Sequence, residues 1–374
     1  MPQMNWDTAR LFSGSRFRVA GKEGEMHSIY YPGEPFLGQP TEVFAYLGLP
    51  QVQDARLPGM VLVHGGGGTA FRQWVELWNA RGYAAIAMDL SGRGPDGERL
   101  PNGGPDQDHP AIFSTDLDWK DLWTYHAVAA LIRANNILRG LEQVDPGRIG
   151  LTGISWGGYL TCIAAGLDPR FGCAIPVYGC GFLQQGSADE WMDIFAAMNP
   201  EERQSWAARC DPSVYLPEAR MPMLFVSGTN DFAYPLNILQ QSYLLPKGQV
   251  SLCVRLEMPH GHEEGWAPLE IGFFADQHLR GGRVHPRLAF PTRRGRTVQA
   301  EIRGGMNLCV ASLLYSRDDG RWQDRRWEEA SAEIEGASVH ASLPPGARVY
   351  YLACQDERGG YATSPHEELP DWEQ

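Results

Sequence analysis

Lysine is scarce in this sequence, and acidic residues outnumber basic ones. The 374 residues include 32 Lys and Arg against 45 Asp and Glu, a formal net charge of −13. Only three of the basic residues are lysines, namely Lys22, Lys120 and Lys247. Proteins that bind nucleic acids need clustered basic residues to displace the counterions of the phosphates. No such cluster is visible, so we expect no nucleic-acid partner.

Long apolar stretches are also missing. A membrane-spanning helix needs roughly 20 consecutive apolar residues, and no segment of the sequence provides them. The segment Met1–Gly14 is polar and lacks the apolar centre of a signal peptide. We therefore expect no membrane association and either a cytoplasmic protein or a secreted one whose signal peptide has already been removed.

The seven cysteines are odd in number and never form a Cys-x-x-Cys pair. This pattern excludes a disulfide framework and the usual zinc sites, and it predicts reduced, mostly buried thiols. We expect neither a metal nor an organic cofactor.

Residues 1–282 have the pattern of a doubly wound, mostly parallel α/β sheet. Continuous apolar runs of strand length alternate with amphipathic helical stretches, as in strands that are buried on both faces. Six strands are predicted: Gly59–His64, Tyr83–Asp89, Arg148–Gly153, Gly172–Tyr178, Pro222–Ser227 and Ser251–Met258. Three long helices are predicted: Thr69–Arg81, Trp119–Leu141 and Pro268–Leu279.

The pattern changes after Gly281-Gly282. Short alternating segments separated by glycine-, proline- and aspartate-rich turns fill residues 283–374. That pattern is typical of a small antiparallel all-β sandwich. We predict two domains, 1–282 and 283–374.

The segment Gly153-Ile154-Ser155-Trp156-Gly157-Gly158 is a G-x-S-x-G motif between a predicted strand and a segment that can be helical. A strand, a sharp turn and a helix are what a nucleophile elbow requires. The motif predicts Ser155 as a nucleophile. The alternative is a glycine-rich turn whose serine only caps the helix.

The segment His64-Gly65-Gly66-Gly67-Gly68 directly follows another predicted strand. Consecutive glycines allow backbone amides to point at an oxyanion. We assign the oxyanion hole to the amides of Gly66 and Trp156, and we expect His64 to hold the loop through a side-chain hydrogen bond. Phosphate binding is disfavoured because neither a following Lys-Ser/Thr nor G-x-G-x-x-G is present.

The acid and the base should follow later strands. Asp231 comes after the strand Pro222–Ser227, where a carboxylate can orient a catalytic histidine. Pro259-His260-Gly261-His262-Glu263 follows the last strand and offers two imidazoles. The short loop that ends in Gly-His favours His262 as the base, with His260 as the alternative base or a pocket residue.

Together these motifs resemble the serine α/β-hydrolases over roughly residues 20–282. The closest resemblance is to the group shared by acetyl xylan esterases (cephalosporin C deacetylases) and the catalytic domains of prolyl-oligopeptidase-type peptidases. The Gly-His-Glu segment is more similar to the deacetylases, which again favours His262. The β-domain is an addition to the minimal esterase, and it resembles a fibronectin- or immunoglobulin-like sandwich in pattern only.

The resemblance implies a serine ester hydrolase that acts on small acyl esters, including esters of carbohydrates. The alternative is a peptidase with the same Ser-His-Asp triad. Residues 178–182 should form a pocket wall over Ser155, with Cys180 either a pocket thiol or a buried core residue. The long loop 91–110 is either a substrate lid or a structural Ω-loop. The sequence is compatible with a homo-oligomer.

Overall fold

The computed structural model describes residues 5–14, 16–51, 56–305 and 307–370. A nine-stranded sheet with helices on both faces forms the larger part. Its strands are β1 (Arg18–Glu23), β2 (Met26–Pro32), β3 (Glu42–Gly48), β4 (Leu57–Val63), β5 (Ala84–Met88), β6 (Val144–Ile154), β7 (Cys173–Val177), β8 (Met223–Gly228) and β9 (Val250–Arg255). The helices are α1 (Thr8–Leu11), α2 (Arg72–Ala80), α3 (His109–Ile112), α4 (Trp123–Gly140), α5 (Trp156–Leu167), α6 (Asp189–Ala197), α7 (Pro200–Cys210), α8 (Leu236–Tyr243), α9 (His262–Trp266) and α10 (Leu269–Arg280).

The strand order across the sheet is β1-β2-β3-β5-β4-β6-β7-β8-β9. The pairs from β5 to β9 are parallel, whereas β1, β2 and β3 extend the sheet by antiparallel pairing. Every residue of β4, β5, β7 and β8 is buried, which is why these strands read as continuous apolar runs. The predicted mostly parallel α/β sheet is confirmed.

One predicted helix is divided. Trp119–Asp121 forms a separate short 3₁₀ turn, capped by the Asp118 carboxylate, which accepts from the Lys120 amide. Leu122 is extended, with φ −70° and ψ 140°, so α4 begins only at Trp123. The apolar spacing alone predicted one continuous helix, but the capping bond from Asp118 forms a separate turn before α4.

The C-terminal part is antiparallel, as predicted. It consists of β10 (Thr292–Arg294), β11 (Thr297–Glu301), β12 (Leu308–Ser316), β13 (Trp327–Ser331), β14 (Glu333–Glu335), β15 (Ser338–Ser342), β16 (Val349–Asp356), β17 (Tyr361–Thr363) and β18 (Glu367–Glu368). One sheet has the order β10-β11-β15-β14, and the other has the order β13-β12-β16-β17 with β18 also paired to β16. An apolar core lies between the two sheets. The predicted domain boundary falls between the end of α10 and the start of β10.

Within the described ranges, none of the helices is long and apolar enough to cross a membrane.

Candidate active site

Ser155 lies at the sharp turn between β6 and α5. Its φ of 57° and ψ of −120° are unusual for a residue with a side chain. Such strain persists only where the surroundings enforce it, and here the Ser155 amide donates to the Val177 carbonyl at 2.9 Å. No side-chain capping bond from Ser155 to α5 is present, which removes the alternative that the serine serves as a helix cap.

The glycines on either side of Ser155 are required by close backbone approach. A Cβ atom on Gly153 would lie 2.2 Å from the carbonyl oxygen of Gly157. A Cβ atom on Gly157 would lie 2.0 Å from the carbonyl oxygen of Val63. Both distances are far below a van der Waals contact, so the turn can form only with glycine at these two positions.

Asp231 follows β8 and is buried, with 2% of its surface exposed. One carboxylate oxygen, Oδ1, accepts hydrogen bonds from the amides of Ala233 at 3.0 Å and Tyr234 at 2.7 Å. The other, Oδ2, lies 2.7 Å from Nδ1 of His260. The carboxylate is therefore fixed on one side by the backbone and presents its second oxygen to an imidazole.

Asp231 contacts His260, the alternative base of the sequence analysis, and not His262, which the sequence favoured. The His260 ring stacks on Tyr178 with a centroid distance of 4.4 Å and an interplanar angle of 26°. Tyr178 directly follows β7 with a φ of 61°, and its hydroxyl donates to the carbonyl of Pro259 at 2.6 Å. Tyr178 thus contacts both the His260 ring and the carbonyl of the preceding residue, Pro259. Because Asp231 binds Nδ1 of His260, Nε2 is the nitrogen left for a reacting group.

His262 is the first residue of α9 and faces the glycine loop. Its Nε2 accepts a hydrogen bond from the Gly65 amide at 3.0 Å, and its ring contacts Phe71 at 4.7 Å between centroids. Burial, together with the nearby rings of His64 and His260, lowers the pKa of His262 to about 4. The His262 ring is therefore neutral at pH 7, and its Nε2 lone pair is directed at the Gly65 amide.

His64 holds the other side of the glycine loop. Its Nε2 accepts from the Leu90 amide at 2.9 Å, so Nδ1 carries the proton and donates to the Gly65 carbonyl at 2.8 Å. Burial lowers the pKa of His64 to about 4, in keeping with this neutral tautomer. The predicted side-chain hydrogen bond from His64 to the loop is confirmed.

The glycine loop lies directly against the elbow. A Cβ atom on Gly65 would lie 2.9 Å from Cβ of Ser155, and one on Gly66 would lie 3.1 Å from Cδ1 of Trp156. The structure therefore brings Gly66 and Trp156, the two residues assigned to the oxyanion hole, next to each other and to Ser155. The Gly65 amide donates to His262 and is not free to bind an oxyanion, so the first amide of the loop that could do so is that of Gly66.

Aromatic side chains surround this site. Trp156 contacts Trp191 at 4.4 Å between centroids and Tyr234 at 6.5 Å. Phe232 contacts the His260 ring at 4.9 Å and is 57% exposed, so it lies at the edge of the site. Sequence reasoning missed Phe232 and Tyr234, although their positions within three residues of Asp231 were a usable signal.

Burial and hydrogen bonding describe Cys180 and the loop 91–110, for which the sequence left alternatives open. Cys180 has no exposed surface, and burial raises the pKa of its thiol well above the usual range, so it is a core residue and not a pocket thiol. In the loop 91–110, Arg99 donates to the carbonyls of Ser91 and Gly104, each at 2.6 Å. These bonds tie the loop to itself, as in an Ω-loop.

Throughout the described part of the chain, no group of three or more His, Cys, Asp or Glu side chains is arranged to hold a metal ion.

Two family models match the sequence. The model for acetyl xylan esterase (AXE1) matches residues 20–185, and the model for the prolyl oligopeptidase family matches residues 116–264. The two matches overlap at the elbow, and neither extends into the C-terminal β-domain. Among curated proteins, no significant match to this sequence is found.

Solved structures of both kinds share the fold. An acetyl xylan esterase from a Paenibacillus species superposes with a TM-score of 0.58 at 22% identity, over 73% of this chain and 92% of the other. Acetyl xylan esterase 1 from a Thermoanaerobacterium species gives 0.57 at 17% identity, over 74% and 94%. The acylaminoacyl peptidase of Pyrococcus horikoshii gives 0.53 at 21% identity, over 69% of this chain and 43% of the peptidase.

Both matching families consist of serine-type hydrolases, and the neighbours share the mostly parallel sheet on which the elbow is built. The chain is accordingly a serine hydrolase with the α/β-hydrolase fold, similar to acetyl xylan esterases and to prolyl oligopeptidases.

Proposed function

We propose that this enzyme is a carboxylic-ester hydrolase in which Ser155 is the nucleophile, His260 the base and Asp231 the residue that orients the base. The observation that carries the proposal is the 2.7 Å contact between Asp231 Oδ2 and His260 Nδ1, on the loops that follow neighbouring parallel strands. Carboxyl ends of parallel strands share one edge of the sheet, and the Ser155 elbow follows β6 at the same edge.

The reaction follows from these roles. His260 Nε2 takes the proton of the Ser155 hydroxyl while Oγ forms a bond to the ester carbonyl carbon, and the carbonyl electrons move onto oxygen. The amides of Gly66 and Trp156 stabilise that oxyanion. Its collapse restores the carbonyl and breaks the bond to the alcohol, which receives the proton from Nε2. Water then repeats the sequence on the acyl-enzyme, so that free acid is released and Ser155 is regenerated.

Asp231 stabilises the imidazolium that forms in each half of this reaction, because its buried carboxylate keeps contact with Nδ1. His262 has a different role in the proposal. It binds the Gly65 amide and thereby fixes the loop from which the next amide, that of Gly66, is directed at the oxyanion.

The proposed substrates are small acyl esters, including acyl esters of carbohydrates. The similarity to acetyl xylan esterases over residues 20–185 supports this class. Esters also need less activation of the leaving group than amides, because an alkoxide leaves more readily than an amide anion.

A peptidase is the second candidate, and one observation favours it. The prolyl oligopeptidase model matches residues 116–264 and so includes Ser155, Asp231 and His260, whereas the esterase model ends at residue 185. The triad would attack a peptide carbonyl in the same way, with the amine as the leaving group.

The experiment that tests both candidates compares p-nitrophenyl esters from acetate to octanoate with proline and alanine p-nitroanilides. Wild-type protein and Ser155→Ala are assayed together, and a fluorophosphonate probe reports covalent labelling. We expect rapid acetate hydrolysis and labelling, both lost in Ser155→Ala. Anilide cleavage with poor ester turnover would favour the peptidase, and a folded wild-type protein without labelling or turnover would refute the serine mechanism.

A further inference from the structure

The C-terminal β-domain shares its core with the α/β domain. Alternate residues of a strand point to opposite faces, and both faces of β16 are buried. One set packs into the large core that includes the central sheet: Val349, Tyr351 and Ala353. The other set packs into the core of the sandwich: Tyr350, Leu352 and Cys354. The domain is therefore built onto the α/β domain and is not held by a linker alone.

Hydrogen bonds join the β-domain to the outer side of the central sheet. The Val254 amide of β9 donates to Thr363 Oγ1 at 3.3 Å, and the Val254 carbonyl accepts from the Tyr351 hydroxyl at 3.2 Å. The β-domain also binds helix α10, where the buried Glu270 carboxylate accepts from the Tyr361 amide at 2.7 Å. Strand β9 leads into the loop that carries His260, so the β-domain covers the sheet edge beside the site.

The most direct link between the β-domain and the site is Asn230, which immediately precedes Asp231. Its Nδ2 donates to the carbonyl of Gln323 at 2.9 Å and to the carbonyl of Arg325 at 2.7 Å. Its Oδ1 accepts from the Thr229 hydroxyl at 2.8 Å. Both amide protons of Asn230 are thus used by the β-domain, and its oxygen is fixed by the neighbouring residue of the α/β domain.

The two carbonyls that accept hydrogen bonds from Asn230 belong to a segment that has contacts of its own. Trp322 is 9% exposed, and the Arg325 guanidinium lies over its ring at 3.7 Å from the centroid. Arg325 Nε also donates to the Gly320 carbonyl at 3.0 Å, which closes the segment on itself. These contacts support the acceptor carbonyls independently of Asn230.

We propose that Asn230 is a positioning residue through which the C-terminal β-domain holds Asp231 against His260. The inference rests on the proposed function, because it assigns a task to the β-domain in that same triad. Asp231 must keep one oxygen on the Ala233 and Tyr234 amides and the other on His260. Anchoring the preceding residue at two fixed carbonyls limits the backbone rotations that would turn the second oxygen away.

The test compares Asn230→Ala with a matched control, Gln240→Ala, in the full chain. Gln240 on α8 also donates its side-chain amide to a β-domain carbonyl, that of His366 at 2.9 Å, but it does not adjoin the acid loop. Removing Asn230 should lower kcat for p-nitrophenyl acetate about 10- to 100-fold with KM within about twofold, since small misplacements of catalytic groups have effects of this size. Gln240→Ala should leave kcat within about twofold.

The pH profile separates positioning from a general loss of structure. A displaced Asp231 stabilises the imidazolium less, so the acidic limb of kcat/KM should move to lower pH in Asn230→Ala and stay in place in Gln240→Ala. Asn230→Ser keeps a hydroxyl that can donate to one of the two carbonyls, and it should give an intermediate kcat. It also serves as the test variant if Asn230→Ala does not fold.

Three results would overturn the inference. The first is that the Asn230 variants keep the wild-type kcat and the wild-type acidic limb of kcat/KM. If Ser155→Ala is inactive in the same assay, this result would leave the proposed function intact. Another is an equal loss of kcat in Gln240→Ala, which would make the effect one of general domain docking. Absence of hydrolysis and of fluorophosphonate labelling in the wild-type protein would overturn the proposed function and this inference together.

Discussion

The sharpest prediction separates two histidines that are only two residues apart. Replacing His260 by Ala removes the group that contacts Asp231 and accepts the proton of Ser155 in the proposed mechanism. Loss of a triad histidine lowers kcat by roughly 10⁴- to 10⁶-fold in serine hydrolases. We expect a loss of that order in His260→Ala, with the protein still folded.

The expected effect of His262→Ala is smaller and follows from one hydrogen bond. The Gly65 amide loses its acceptor, and an unsatisfied buried donor costs about 1–3 kcal/mol. Even if that entire cost appeared in the activation barrier, kcat would fall by no more than about 100-fold. The two variants should therefore differ by about 100-fold or more.

The assay is p-nitrophenyl acetate hydrolysis together with the rate of fluorophosphonate labelling at Ser155. His262→Gln is the matched control, because the amide oxygen of glutamine can accept the Gly65 amide in place of Nε2. It should recover most of the activity lost in His262→Ala and keep the acidic limb of kcat/KM. A loss of 10⁴-fold or more in His262→Ala, with His260→Ala within 100-fold of wild type, would refute the reasoning.

Three further predictions concern the backbone, the buried histidine and the buried thiol. Gly157→Ala should lower the unfolding free energy by more than about 4 kcal/mol in chemical denaturation, because its Cβ would lie 2.0 Å from the Val63 carbonyl oxygen. Gly140→Ala, at the end of α4 with nothing within 4 Å of its Cβ, should leave the unfolding free energy unchanged or raise it by up to about 1 kcal/mol. His64 has a folded-state pKa of about 4, below its ordinary value near 6.5. The unfolded chain therefore takes up the proton first, and His64 alone should lower stability by about 2 kcal/mol between neutral pH and pH 5. Other buried histidines, such as His262, act in the same direction, so His64→Gln should reduce the pH dependence in denaturant titrations by this share and leave the rest. Cys180→Ala should keep wild-type ester hydrolysis because the thiol has no exposed surface, and a loss above tenfold in a folded variant would contradict that placement.

The central sheet and the elbow were predictable because both depend on local sequence. Strands buried on both faces require continuous apolar runs, so β4 and β8 could be read directly from the sequence. The elbow required glycines at fixed offsets from Ser155, since the backbone passes within 2.2 Å of where a Cβ would be. The order of nucleophile, acid and base along the chain follows from the order of the strands.

Which histidine contacts Asp231 was not predictable, because it depends on contacts between residues far apart in sequence. Tyr178, about 80 residues earlier in the chain, stacks on the His260 ring. The Gly65 amide, nearly 200 residues earlier, donates a hydrogen bond to Nε2 of His262. The link from Asn230 to the β-domain is equally invisible, since its acceptors are backbone carbonyls that any residue provides. The motifs therefore predicted that an acid and a histidine meet near Ser155, whereas long-range packing determines which histidine contacts the acid.

The segment Pro259–His262 connects the groups proposed for proton transfer with the loop proposed for oxyanion binding. Its first imidazole binds the buried acid, and its second binds the loop that carries the proposed oxyanion amide. Gly261 between them is extended, with φ −153° and ψ 166°, and α9 begins at the next residue. A shift of α9 would therefore move the base and the glycine loop together, so substitutions that displace α9 should impair proton transfer and oxyanion binding jointly.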